Sequence, residues 1–324
     1  MNIPSGTTKA ARYVWLCAPV LCLLAAELVR SPAEPDYRLA AFAATLQPPA
    51  AIGATVPAAP LKSVRAELAS SASLVTTQRG TLPIILTAPH GGVVRMMNVP
   101  DRTRGVTVLD DRTAELTLLI AQRLTGKLGA KPYFVVAQFS RKHADANRNV
   151  AEGTEHPHAA REHAAFHDAV AQAVSECKAK FGRAILIDIH GQSRVTGSIV
   201  RGTRNTRTVS QLLARSGQQA LIGPDSVCGR LQSAGYDMLP KSDDPEQAIG
   251  RETFFDGGYI VATYGGDAAT QIDAIQLEFG RMRIDNTMKL ARDVGDAIAA
   301  FARTHGYAGD ATPALPAAGD AASD

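Results

Sequence analysis

Two histidines in this 324-residue chain share a setting. Each closes an apolar run and is followed at once by glycine. Leu82–Ala88 leads into Pro89-His90-Gly91-Gly92, and Ala184–Ile189 leads into His190-Gly191-Gln192. A third apolar run, Ile275-Gln276-Leu277-Glu278-Phe279-Gly280, carries a glutamate near its end. Neutral imidazole is a good zinc ligand, and glycine beside it lets backbone or substrate come close. One histidine after a strand is ordinarily structural. Two in the same context, with a glutamate ending a further buried run, point to a metal site with an acid–base group next to it.

Other polar residues gather around these runs. Asp110 and Asp111 precede a helical pattern. Aspartate caps helices well, so one can cap while the other binds metal. Ser140-Arg141 and Asp145-Ala146-Asn147-Arg148 follow the apolar run Tyr133–Phe139. Arginines there are either a solvated loop or, beside a metal, forks for a carboxylate or an oxyanion. His163 and His167 lie four apart on a helical pattern without HExxH, and are read as packing or hydrogen bonding near the site. His143, His156 and His158 sit in polar sequence and are expected at the surface.

The elements that must position these groups follow from the hydrophobic pattern. Leu82–Ala88, Tyr133–Phe139, Ala184–Ile189, Ser198–Arg201, Tyr259–Thr263 and Ala274–Phe279 read as strands. Asp110–Leu128, His158–Phe181 and Ile284–His305 read as helices, the last two stopped by Gly182 and Gly306. Short apolar strands separated by helices predict an α/β fold, a mixed and largely parallel sheet with helices on both faces in one catalytic domain. In such sheets ligands bind beyond the carboxyl ends of the strands, which is where the histidines fall.

Composition bounds the rest. The chain is 45% hydrophobic and 20% charged, which excludes both a disordered chain and a polytopic membrane protein. A net charge of +3 is too mild for a nucleic-acid partner. Lys9 and Arg12 precede an apolar stretch, Tyr13–Val29, so residues 1–30 are read as a signal or membrane anchor. Residues 31–60 form a Pro/Ala-rich linker, 61–308 the catalytic domain, and 309–324 a disordered tail. The protein is accordingly expected outside the cytoplasm, periplasmic or held at the inner membrane by an uncleaved leader. Cys177 and Cys228 could pair in an oxidising compartment.

The motifs PHGG, DDRTAEL, SRKHADANR, REHAAFH, IDIHG, FFDGGYIVATYGG and IQLEFGR occur in an order that resembles the N-formylglutamate amidohydrolases. That resemblance covers nearly all of Leu82–Asp285, and it implies a fold and metal chemistry shared with zinc carboxypeptidases and aminoacylases. It implies one zinc ion on His90, Asp110 and His190, with Asp188 behind His190. It makes Glu278 the general base on a zinc-activated water and Arg141 the oxyanion stabiliser. Asn147 and Arg148 would hold the substrate's carboxylate. The reaction implied is hydrolysis of an N-acyl or N-formyl amino acid, or a related small carboxylate-bearing substrate. The alternatives are an exported carboxypeptidase or amidase acting on peptidoglycan peptides and, further off, a non-catalytic binding module. Arg194–Arg207 departs from the family pattern, and is either a solvated face or a recharged wall of the substrate pocket.

Overall fold

Four central strands alternate their side chains between two cores. On β2 (Ile84–Ala88), Ile84, Leu86 and Ala88 face one core and Ile85 the other. On β4 (Ala184–Gly191), Ile185, Ile187 and Ile189 face the first core, and Ala184 and Leu186 the second. Period-two alternation with both faces apolar is what a strand covered on both sides requires. The structure, a computed structural model, describes residues 74–241, 249–266 and 272–308. All of these lie in the unit Ala51–Asp324.

The remaining strands are β1 (Val75–Gln78), β3 (Tyr133–Ala137), β5 (Ser198–Gly202), β6 (Asp237–Leu239) and β7 (Ile272–Phe279). Their order is β1-β3-β2-β4-β7-β5-β6. The block β3-β2-β4-β7 is parallel, while β1 joins β3 and β5 joins β7 antiparallel. This is the expected mixed, largely parallel sheet.

Helices cover both faces. α1 (Thr113–Leu128) packs in the first core with the carboxy-terminal helix Thr287–His305, which contributes Leu290, Ala291, Val294, Ile298 and Phe301 at helical spacing. The short helices α4 (Ser210–Ser216), α5 (Gln219–Ile222) and α6 (Val227–Ser233) add to the same side. Before them in the chain come α2 (Val150–Gly153) and α3 (Pro157–Phe181). α3 lays Phe166, Val170 and Val174 on the second core and ends at Gly182, whose φ of 69° is the left-handed cap expected of that glycine.

Some expectations are corrected. Tyr259–Thr263 is not a strand but the start of helix α7 (Tyr259–Tyr264), which buries Ile260, Val261 and Tyr264. A short apolar run cannot be told from a buried helical turn by periodicity, and glycines bracket it on both sides. The carboxy-terminal helix begins later than expected, after the one-turn α8 (Met282–Asp285), and is α9. Cys177 and Cys228 are free thiols in different cores on opposite faces of the sheet, so they form no disulfide. His143 is not at the surface but 1% exposed. Its turn is folded under the preceding loop, where Arg102 N–H bonds the Lys142 carbonyl. The expected leader, linker and tail lie outside the described residues. No helix among the described residues is long and apolar enough to cross a membrane.

Candidate active site

The carboxyl ends of β2, β4 and β7 bring the singled-out residues together. His90 follows β2, His190 lies near the end of β4, and Glu278 sits beside His190 on the adjacent β7. Asp110 enters from the loop before α1. Ligand atoms of His90, Asp110 and His190 all lie within 4.8 Å of one another. Asp111 is not in this group; its carbonyl accepts from Arg283 instead.

The orientation of the imidazoles is fixed from behind. His90 Nε2 is 2.6 Å from Asp145 Oδ1, and His190 Nε2 is 2.8 Å from Asp188 Oδ2. A carboxylate accepts, so each Nε2 carries the proton and each Nδ1 presents its lone pair inward in the neutral ring. Both Nδ1 atoms stand 3.2 Å from the same Asp110 Oδ2. The supports are themselves held. Thr87 Oγ1 donates to Asp188 at 2.6 Å, and Arg141 grips Asp145 through Nε at 3.0 Å and Nη2 at 2.9 Å. Gly91 permits the close approach of this loop to α1, since a Cβ there would stand 2.4 Å from the Ala114 nitrogen.

Electrostatics define what the cluster lacks. Asp110, Asp145, Asp188 and Glu278 are all buried together. Burial pushes the Asp110 carboxyl up, but His90 and His190 outweigh it and hold the group well below the usual carboxylate range. Asp145 behaves likewise, with His90 and Arg141 overcoming burial. Burial lowers His190, yet Asp188, Asp110 and Glu278 drive its pKa well above the ordinary value. Buried negative charge must be offset by cations, and Arg141 supplies one against Asp145. Imidazole protons meet part of that demand, and a divalent ion would meet it with the donors already aimed. The residues therefore fit a metal. Glu278 is pushed up to about 7, first by burial, against the pull of His190 and with the push of Asp110 and Asp188.

The remaining expected residues divide. Arg148 is exposed on the wall of a cavity of about 520 Å³ that opens onto the cluster. Its Nη1 donates to the Asn147 carbonyl at 2.8 Å, and no acid pairs with it among the described residues. Asn147 lines the same cavity, but its side chain has protein partners. Its Oδ1 accepts from Ile260 N–H at 2.9 Å, and its Nδ2 faces Gln276 Oε1 at 3.4 Å. Arg141 also borders the cavity. Its Nε and Nη2 are committed to Asp145, while Nη1 makes longer contacts, 3.3 Å to Asp110 Oδ1 and 3.4 Å to the Val108 carbonyl. His163 and His167 support the loop from below, bonding the Arg148 carbonyl at 2.9 Å and the Ala146 carbonyl at 3.0 Å.

Two residues escaped the sequence reading. Asp145 was seen only as part of a motif, although it orients His90. Gln276 donates through Nε2 to Glu278 Oε1 at 3.0 Å and accepts at Oε1 from Gly258 N–H at 2.7 Å. Its place two residues before Glu278, on the same strand face, was a usable signal. The arginine-rich segment is neither wholly solvated nor wholly in the pocket. Arg201 is fully buried against Glu252 at 3.0 Å, whereas Arg194 lines the cavity with its guanidinium 4.6 Å above Phe254.

Residues 156–284 match the family model described as N-formylglutamate amidohydrolase. Over those residues the resemblance read from the motifs holds. The matched stretch contains His190 and Glu278 and stops short of His90, Asp110 and Arg148. Among solved structures, the chain is similar to an N-formylglutamate amidohydrolase from Ralstonia eutropha JMP134, at 16% identity and a TM-score of 0.52, covering 72% of this chain and 98% of that one. A gene product from Agrobacterium tumefaciens aligns at 15% identity and a TM-score of 0.46, covering 72% and 93%. A succinylglutamate desuccinylase from Chromobacterium violaceum aligns at 14% identity and a TM-score of 0.38, covering 78% of each chain. The first of these supports the fold. No curated protein matches the sequence. Family match and site together support a hydrolase of amide bonds.

Proposed function

We propose that this protein hydrolyses the amide bond of N-acyl amino acids with one zinc ion held by His90 Nδ1, His190 Nδ1 and an Asp110 oxygen. The carrying observation is the convergence of these three donors, each imidazole backed by its own carboxylate. That pattern raises ligand basicity and fixes the tautomer that binds metal. A divalent ion there would supply Lewis acidity and make water acidic enough to attack near neutral pH.

The chain's own residues supply the rest. Glu278, buried and held by Gln276, takes the proton of the attacking water and returns it to the leaving amine. Arg148 reaches into the cavity with unpaired donors and anchors the substrate's carboxylate. Arg141 Nη1, on long contacts only, is the donor free to turn to the developing oxyanion. Asn147 is assigned to holding the loop that carries Arg148. The apolar stretch 13–29 supports a further proposal, that the enzyme works outside the cytoplasm, free or anchored.

The test is metal analysis of the purified protein alongside hydrolysis of N-formylglutamate and other N-acyl amino acids. His190→Ala should lose both stoichiometric zinc and activity. Zinc staying near one per chain in both His90→Ala and His190→Ala would place the site elsewhere.

A further inference from the structure

The lining of the cavity is of two chemical kinds. Arg148 and Arg194, which pair with no acid among the described residues, come from the segments after β3 and β4. From the long loop between β2 and α1 come Val106, Val108 and Leu109 instead. Val106 is 52% exposed and Val108 71%. These are not scattered surface residues. Of the eight exposed large apolar side chains among the described residues, five (Val93, Val94, Met97, Val106 and Val108) fall on this one loop. Val106 and Val108 line the cavity, whereas Val93, Val94 and Met97 do not, and exposed apolar side chains lining a cavity are surface that a ligand can cover.

The loop holds these side chains out on a fastened backbone. Arg102 is buried beneath it and donates to the Val106 carbonyl at 2.7 Å, the Arg104 carbonyl at 3.1 Å and the Arg141 carbonyl at 3.2 Å. Glu155 accepts from the backbone N–H groups of Thr103 and Arg104 at 3.0 and 2.9 Å. Bonds to the Val106 carbonyl and to the Thr103 and Arg104 N–H groups hold the loop backbone in the conformation that exposes the valines. Their exposure is built into the loop.

We propose that Val106, Val108 and Leu109 form an apolar lip that receives the acyl half of the substrate, so that the preferred substrates are amino acids bearing an apolar acyl chain of several carbons. This rests on the reading of the cavity as an amide-hydrolysing site. The two guanidiniums take the carboxylate-bearing half, which leaves the acyl half to the lip. A formyl group carries no carbon chain and would leave the valines in water.

The experiment compares N-formyl-, N-acetyl-, N-butanoyl- and N-hexanoylglutamate. Burying a methylene against the lip should raise kcat/KM by about two- to fourfold per carbon. Val108→Ser should shrink the hexanoyl-to-formyl ratio of kcat/KM by about fivefold or more; the residue is exposed, so the core is untouched. A second series uses ketone isosteres of the same compounds, with CH₂ in place of the amide nitrogen, and reads Kd by calorimetry. If no amide is cleaved but isostere affinity climbs with chain length, the hydrolytic reading falls and the lip stands. A flat or falling series in both measurements overturns the lip. So does a rising series whose slope Val108→Ser leaves unchanged, since the chain would then be resting elsewhere.

Discussion

His167 makes the fold acid-sensitive in a way that can be isolated. It sits on α3 beneath the Asp145–Arg148 loop, with Nε2 on the Ala146 carbonyl and Nδ1 2.9 Å from the Tyr264 hydroxyl. A carbonyl only accepts, so the neutral ring carries its proton on Nε2, and the Tyr264 hydroxyl lies within donating distance of both Nδ1 and the His167 carbonyl, the latter at 3.0 Å. Burial, reinforced by neighbouring His163, lowers its pKa from 6.5 to about 4. Between those values the unfolded chain binds a proton that the folded chain refuses, so stability rises with pH. The contribution is present above about pH 6.5 and is lost as pH falls toward 4. A shift of about 2.5 units at about 1.36 kcal/mol per unit gives about 3 kcal/mol at most. His167→Gln keeps a donor for Ala146 and cannot titrate. Urea unfolding of chelator-treated protein at pH 7, 5 and 4 measures the difference. The parent should lose about 2–3 kcal/mol more than the variant between pH 7 and pH 4. A gap below about 1 kcal/mol would refute the argument, for it would mean that His167 is hydrated or already charged in the fold.

Glu278→Gln preserves shape and most hydrogen bonding, so zinc content should stay near that of the parent while kcat falls by about 10²–10⁴; a parental kcat would require another base. Asp188→Asn keeps the contact to His190 but removes the charge behind it, and zinc affinity measured by competition with a chelator should drop by about 10–100-fold. Arg148→Lys keeps charge but loses the fork, so KM for carboxylate-bearing substrates should rise while amides without the carboxylate are little affected. Asn147→Ala should lower kcat and raise KM together, because it strands the Ile260 N–H and frees both the loop of Arg148 and the support of Glu278; a change in KM alone would make Asn147 a simple substrate contact.

The parallel core was legible because its strands are apolar on both faces and bounded by punctuation. Ala184–Ile189 could hardly be anything else, and its histidine had to emerge at a carboxyl end. The edges were not legible. β1 is four residues, Val75-Thr76-Thr77-Gln78, and β6 is three, and neither carries a pattern apart from its partner. α7 was misread because Tyr259–Tyr264 is rich in strand-favouring residues, and its helical form depends on tertiary contacts such as the bond from Ile260 N–H to Asn147. At the site, residue types and order pointed to the cluster, whereas the commitments of each polar group were invisible. Arg141 reads as a free cation in sequence. In the fold most of its donors already have acceptors. Asp145 reads as a loop acid and proves to be the backing of His90.

Those commitments change how the site is understood. A side chain at Gly258 would displace the Asn147 amide, because a Cβ would stand 2.1 Å from Asn147 Nδ2. The start of α7 is therefore seated directly on the Asp145–Arg148 loop. Gln276 bonds the same backbone at Gly258 and passes its amide to Glu278. The Asp145 carboxylate at the head of that loop reaches His90, while its tail carries Arg148 into the cavity. One four-residue stretch thus orients His90, carries Arg148 and, through Asn147 and Gln276, steadies Glu278. On the proposed mechanism, metal affinity, substrate binding and proton transfer would share one piece of backbone, and His163 and His167 bond that piece from α3. The helix under the loop, although it contributes no group to the cavity, is accordingly as much a part of the active site's geometry as the strands whose ends form it.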